Sequence, residues 1–181
     1  MNIKDLKVAV LGMGLSGLSA LKLLKNAQAI PYAVNQGSPS IWGKKVDLDA
    51  RQCFSEEDFK DLVSEMDIFI LSPGICRKHF LVQEALSNHV PVWSEIELAY
   101  KFTSRPIIAL TGTNGKTTTV SLINQILLNS GFKTFLGGNI GIPFSEFINQ
   151  GSSLVDFIIL ELSSFQLESI VDFKANWAAI I

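Results

Sequence analysis

The chain has 181 residues, a formal net charge of −2, and is 48% hydrophobic and 18% charged. That composition suits a globular protein with a substantial core and argues against disorder, and the charge leaves no basic footprint for nucleic acid or an anionic membrane. No apolar run approaches the ~18 residues needed to cross a bilayer. The apolar start is broken by glycines, unlike a signal peptide, and Cys53 and Cys76, without metal-ligand or C-x-x-C spacing, suit a reducing cytoplasm.

Strand and helix signals alternate along the chain, the pattern of a parallel α/β protein. Residues 7–11 are expected to form a strand and residues 16–26 a helix with Leu18, Leu21 and Leu24 on one face. Between them Gly12, Gly14 and Gly17 form G-x-G-x-x-G. Taken alone, this predicts a dinucleotide site: a turn, a close approach to phosphate, and tight helix packing. NAD also calls for an acidic residue about 20 positions on, but the end of the second expected strand, residues 31–34, offers Asn35. Residues 36–49, with Gly37, Pro39 and Gly43, read mostly as loop, and Ser55 as a helix cap with Asp58 near the helix start. Residues 67–71 form a buried strand ending on Ser72-Pro73-Gly74. That is the sheet edge where ligands bind in open α/β folds, although Pro-Gly equally suits an ordinary turn. A helix over residues 80–87, a strand over 90–93 and a helix over 95–102 complete a first unit, residues 1–105. His79 and His89 have no partner pattern, and Lys4, Lys22, Lys25, Lys44 and Lys45 read as solvated charge.

The second unit, residues 106–181, opens on a short apolar strand, Ile107-Ile108-Ala109-Leu110, and a glycine turn. Lys116 and Thr117 then start an amphipathic helix over residues 117–128. A phosphate-binding loop needs that order. Backbone N–H groups of Gly112, Thr113, Asn114 and Gly115 converge on the phosphates, with Thr118 beside them. Lys116 neutralises terminal phosphate charge as the catalytic cation, and the Thr117 hydroxyl ligates Mg²⁺. The general pattern G-x-x-x-x-G-K-[ST] is modified here, because Leu110 stands at the first glycine position and the glycine is Gly112. The loop predicts a nucleoside triphosphate ligand.

A strand over residues 133–136 leads to Asn139, set among glycines that let a ligand approach, or else a turn asparagine in left-handed geometry. Residues 155–160 form an apolar strand ending on Glu161. A carboxylate at that edge can ligate Mg²⁺ together with Thr117, or simply face water. Ser163, Ser164 and Gln166 add polar groups, whereas Phe165 and Leu167 read as packing residues. Residues 177–181 are expected to begin a further buried strand, which makes the chain an incomplete fragment.

Four segments carry a family resemblance: TGTNGKT at residues 111–117, GGNIGIP at 137–143, ELSSFQLE at 161–168 and SPGI at 72–75. Together they resemble the Mur ligases, whose folylpolyglutamate synthase relatives share the ATP loop, and ELSSFQLE points to the D-glutamate-adding members. The resemblance spans essentially the whole chain but under half of a complete family member. It implies an α/β fold, with a Rossmann-like parallel-sheet N-terminal domain followed by the first part of a P-loop ATPase domain. It also implies a cytoplasmic amide ligase of peptidoglycan precursor synthesis. That enzyme would use ATP and Mg²⁺ to join D-glutamate to UDP-N-acetylmuramoyl-L-alanine through an acyl phosphate. The first glycine loop then binds the UDP moiety in preference to NAD. The resemblance implies substrate contacts from Gly14, Leu15, Ser16, Gly17, Asn35, Ser72, Pro73, Gly74 and Asn139, and metal ligation by Thr117 and Glu161. Asn35-Gln36-Gly37 departs from the Asp and Arg that the family commonly carries near the uracil. The family's Asp-His segment, carbamylated lysine and amino-acid-binding domain fall outside this chain, so the fragment alone is expected to be inactive. Three rivals stand beside this reading, the first a folylpolyglutamate synthase, which would share the ATP loop but against which the N-terminal Rossmann-like unit and ELSSFQLE argue. A nicotinamide-dependent oxidoreductase would leave the second glycine loop unexplained, and the third rival is a non-catalytic nucleotide-binding module.

Overall fold

The computed structural model describes residues 2–42, 46, 49–151 and 154–181; Gly43, Lys44 and Lys45 lie outside the described residues. Five strands, β1 (Lys7–Leu11), β2 (Ile30–Asn35), β3 (Gln52–Ser55), β4 (Ile68–Leu71) and β5 (Val92–Ser94), form one parallel sheet in the order β3-β2-β1-β4-β5. Parallel neighbours cannot be joined by tight hairpins, so the connections cross over the faces. Those crossovers include α1 (Leu15–Asn26), α2 (Glu56–Phe59), a 3-10 turn at Lys60–Glu65, and α3 (Phe80–Ser87). The strand period of two sends alternate residues of β1 into two cores. Val8 and Val10 pack with Leu21 and Leu24 of α1, and Ala9 and Leu11 pack near Phe59, Leu81 and Val82.

A second parallel sheet is built from β6 (Ile107–Thr111), β7 (Thr134–Gly138), β8 (Phe157–Glu161) and β9 (Trp177–Ile180), in the order β7-β8-β6-β9. Between the sheets lies α4 (Glu95–Tyr100), and the second sheet is accompanied by α5 (Lys116–Asn129), α6 (Phe144–Asn149) and α7 (Ser164–Leu167). Phe144 and Phe147 of α6 cover one face with Ile158 and Leu160, while Val120 of α5 covers the other with Leu110 and Ile159. Helix α4 contributes to both bodies. Leu98 packs in a core of the first sheet, whereas Ile96 and Ala99 pack in the core of the second.

Several elements differ from expectation. The strand β3 is not anticipated, because four partly exposed residues show no usable period; its identity comes from pairing Ala33↔Cys53 and Val34↔Phe54. Helix α6 is also absent from the sequence reading, although Phe144, Phe147 and Ile148 have helical spacing. The strand β7 runs on through Gly137 and Gly138, which pair with Leu160 and Glu161. The strand β9 forms where a buried strand is expected, but all four of its residues are exposed. It lies at the sheet edge, paired with β6. His79, read as partnerless, accepts the Leu81 N–H at the start of α3 and lies 3.3 Å from Glu56.

Candidate functional site

The first glycine loop is built largely from its own contacts. Gly12 turns at φ +93°, its N–H donates to Val34 O at 2.9 Å, and its carbonyl accepts the buried Ser72 hydroxyl at 2.7 Å. At Gly17 an added Cβ would lie 1.8 Å from Gly12 O, so only glycine lets α1 start this close to the turn. Gly14 and Leu15 stand exposed and Ser16 is half-buried, forming the accessible rim at the helix N-terminus. The Asn35 side chain accepts the Met13 N–H at 3.3 Å, tying the end of β2 to this loop and presenting no carboxylate there. Ser72-Pro73-Gly74 closes as a turn through Ile75 N–H to Ser72 O, and the hydroxyl of Ser72 is committed to the glycine loop by its own bond to Gly12 O. Glycine loop, Asn35 and Ser72 therefore meet at the carboxyl ends of β1, β2 and β4.

The second glycine loop joins β6 to α5. Gly115, at φ +80°, is the left-handed residue that precedes the helix. Lys116 turns its ammonium back into the loop, donating to Gly112 O at 2.8 Å and Thr113 O at 3.2 Å. A Cβ on Gly112 would meet Ile181 O at 1.8 Å, and that carbonyl accepts the Thr113 N–H at 3.0 Å. Because β6 and β8 are neighbours in register Leu110↔Glu161, the β8 carboxylate comes up against the start of α5. Glu161 accepts the Thr117 hydroxyl on one oxygen at 2.7 Å and the Asn139 amide on the other at 3.0 Å. The Asn139 N–H also donates to Glu161 O at 2.8 Å. Glu161 is 2% exposed, which overturns the alternative of a water-facing strand end. Thr117, Asn139 and Glu161, read from three separate motifs, form one cluster.

Family comparisons match the same two bodies. The model of the Mur ligase MurD-like N-terminal domain matches residues 6–94, and that of the Mur ligase middle domain matches residues 110–180. The chain belongs to the Mur ligase family. It is 36% identical over 187 residues to a UDP-N-acetylmuramoylalanine--D-glutamate ligase of Thermoanaerobacter pseudethanolicus, covering 100% of this chain and 40% of the relative. It is 40% identical over 188 residues to the ligase of the same name from Streptococcus sanguinis, covering 99% of this chain and 40% of the relative. The chain thus spans about 40% of the length of the curated relatives it matches. In fold it is similar to a murein peptide ligase from Psychrobacter arcticus, with a TM-score of 0.52 at 15% identity, covering 88% of this chain and 38% of that one. It is also similar to a UDP-N-acetylmuramate-alanine ligase from Thermotoga maritima, with a TM-score of 0.50 at 19% identity, covering 97% and 41%.

In this Mur ligase chain, a capping box follows Glu161 directly. The Ser163 side chain accepts the Gln166 N–H at 3.2 Å and the Gln166 side chain accepts the Ser163 N–H at 2.9 Å, fixing the start of α7. Leu167 packs into the core of the second sheet, but Phe165, expected to pack, is 50% exposed because the single helical turn directs it outward. Among the described residues no group of three or more His, Cys, Asp or Glu is placed to hold a metal. Thr117 and Glu161 place two hard oxygens 2.7 Å apart. That pair fits Mg²⁺, which takes few protein ligands and completes its octahedron with phosphate oxygens and water.

Two buried carboxylates of the Mur ligase chain escape the sequence reading. Glu95 is fully buried and accepts the Ser145 N–H at 2.5 Å; burial pushes its carboxyl up, against the hydrogen bonds from Ser145. Glu97 is fully buried too and accepts N–H groups of Val171, Asp172 and Phe173 and the Lys101 ammonium. Burial by itself raises the Glu97 carboxyl, but Lys101 and the three amides outweigh it and hold it below the usual range. Only Glu97-x-x-x-Lys101, an i,i+4 pair, hints at this in sequence, and it looks like ordinary helix-surface charge.

Proposed function

We propose that a full-length protein carrying this chain is a cytoplasmic ATP-dependent amide ligase of peptidoglycan precursor synthesis, joining D-glutamate to UDP-N-acetylmuramoyl-L-alanine. The observation that carries it is the convergence of Thr117 and Asn139 on the buried carboxylate of Glu161, directly beside the phosphate loop. The names of the relatives supply the substrates. Residues 1–105 serve as the UDP-substrate domain, and residues 106–181 as the N-terminal part of the ATP-binding domain.

When bound, ATP with Mg²⁺ supplies the phosphoryl group that activates the substrate carboxylate as an acyl phosphate, leaving ADP, and the amine of D-glutamate then displaces inorganic phosphate to form the amide. The chain's own residues bind and orient. Gly14, Leu15 and Ser16 receive the diphosphate at the N-terminus of α1, where free N–H groups and the helix dipole favour an anion. Lys116 leaves the carbonyls of Gly112 and Thr113 and turns to the terminal phosphate, where fixed positive charge stabilises the transferred group. The Thr117 and Glu161 oxygens would hold the metal. Asn139, anchored through its Nδ2 and backbone N–H to Glu161, keeps its side-chain carbonyl for substrate. NAD is disfavoured because Asn35 offers no carboxylate to accept from the ribose hydroxyls and its side-chain oxygen already accepts the Met13 N–H.

Calorimetric titration of the 181-residue chain with UDP-N-acetylmuramoyl-L-alanine, NAD and Mg·ATP tests this. The first and third are expected to bind, each at its own glycine loop. Tighter binding of NAD than of the UDP compound would refute the substrate reading, and absence of Mg·ATP binding would refute the phosphate loop.

A further inference from the structure

The segment that begins at Glu161 is stitched to the first sheet at its far end. The Arg77 guanidinium, in the loop after β4, donates to Glu168 O at 2.9 Å. The Ser94 N–H, at the end of β5, donates to Ser169 O at 2.8 Å. Three consecutive amides, Val171, Asp172 and Phe173, then donate to the single carboxylate of Glu97 at 2.9, 3.0 and 2.9 Å. Lys101 closes the arrangement. Its ammonium lies 2.9 Å from Glu97, pairs with Asp172 as well, and sits 5.4 Å over the Trp93 ring. Residues 169–173 thus form a strap laid across α4.

A carboxylate buried this deeply is costly to desolvate and persists only because every donor around it is in place. Neither glycine loop takes its shape from Glu97. What the strap does hold is the relation between the two bodies: α4 is rooted in the first sheet through Leu98 and in the second through Ile96 and Ala99. The strap continues directly from the segment whose other end carries Glu161. We propose that Glu97 is a positioning residue for the ligase reaction, acting through strap 169–173 to set the separation of the first glycine loop from the phosphate loop. The proposal rests on the ligase reading above. It follows from the need to bring the substrate carboxylate, carried from one loop, into line with a phosphate held on the other. Misplacement by about 1 Å far from the chemistry can cost roughly 100-fold in rate.

The test compares wild type, Glu97→Gln and Lys101→Met in the full-length protein, with amide exchange followed by mass spectrometry and kcat and KM measured for both substrates. Glu97→Gln is expected to speed exchange across residues 169–173 at least ~10-fold and to lower kcat about 10-fold or more. The KM values for Mg·ATP and the UDP substrate should stay within about 3-fold, because each ligand is held by its own loop. Lys101→Met removes one donor of four and should give the same pattern, weaker, should the glutamine variant fold poorly. Unchanged kcat with only a lowered melting temperature would reduce Glu97 to a stabilising residue and overturn the proposal, as would unchanged exchange at 169–173. The exchange measurement needs no ligand, so a wild type that makes no product counts against the ligase reading and not against the strap.

Discussion

Replacing Gly17 by alanine places a methyl group where the structure has no room for one. The new Cβ would lie 1.8 Å from Gly12 O, 2.7 Å from Ser72 Oγ and 3.0 Å from Gly12 C. Two of these atoms are backbone, and the hydroxyl is fixed by its own bond to Gly12 O, so no flexible side-chain end can swing away. Restoring an ordinary 3.4 Å contact requires α1 to retreat about 1.6 Å from the turn. Overpacking of this kind costs ~1–3 kcal/mol. The retreat also strains the buried Ser72–Gly12 bond, a further ~1–3 kcal/mol if a polar group is left unpaired. The better helix propensity of alanine returns less than ~1 kcal/mol. A net loss of about 2–5 kcal/mol is a large part of the ~5–15 kcal/mol that holds a typical domain. In urea, with a slope of ~2 kcal/mol/M, the midpoint should fall by roughly 1–2.5 M. Gly14→Ala is the control: its backbone is extended at φ −73° and an added Cβ meets nothing within 4 Å. It should cost under ~1 kcal/mol as a cap change yet weaken the UDP ligand at least ~10-fold by standing on the rim. A Gly17→Ala midpoint equal to wild type would refute the packing argument, and undiminished UDP binding by Gly14→Ala would refute the ligand's placement.

Lys116→Ala should weaken Mg·ATP at least ~10-fold in calorimetry while changing stability by less than ~1 kcal/mol, since its ammonium bonds carbonyls of its own exposed loop. Thr117→Ala should chiefly flatten the Mg²⁺ dependence, and leaving a buried Glu161 oxygen without its hydroxyl donor should also cost ~1–3 kcal/mol in denaturation. Glu95 and Glu97 should show opposite pH signatures. Glu95 is raised by burial, so the folded state keeps its proton longer, and the stability this provides is lost as pH rises from the ordinary carboxylate value through the raised one. Glu95→Gln should therefore gain on wild type in urea melts as pH rises above the ordinary carboxylate value. Glu97 is held low, so its contribution is present above the ordinary carboxylate value and fades as pH falls through the lowered one. Glu97→Gln should accordingly be most destabilising near neutrality and least in acid, and equal losses at both would contradict the assigned partners.

Both glycine loops were legible from the chain alone, because a strand, a tight turn and a helix start involve residues adjacent in sequence, whose backbone demands are local. The pairing of Thr117 with Glu161 was also within reach, since a carboxylate ending an apolar strand beside a phosphate loop has few places to go. The strand β3 and the turn-length helix α7 were not, being too short for either period to show. Asn35 could be read as lacking a carboxylate, but its bond to Met13 depends on how β2 pairs with β1. Glu95 and Glu97 illustrate what only tertiary structure decides. Their helix looks like any polar helix end, and its neighbours in sequence do not say that Ser145, 50 residues on, or Val171, 74 residues on, will present amides to them. Whether a glutamate meets water or a buried N–H is set by the surface that packs over it. That surface exists only once two distant stretches of chain have folded against each other.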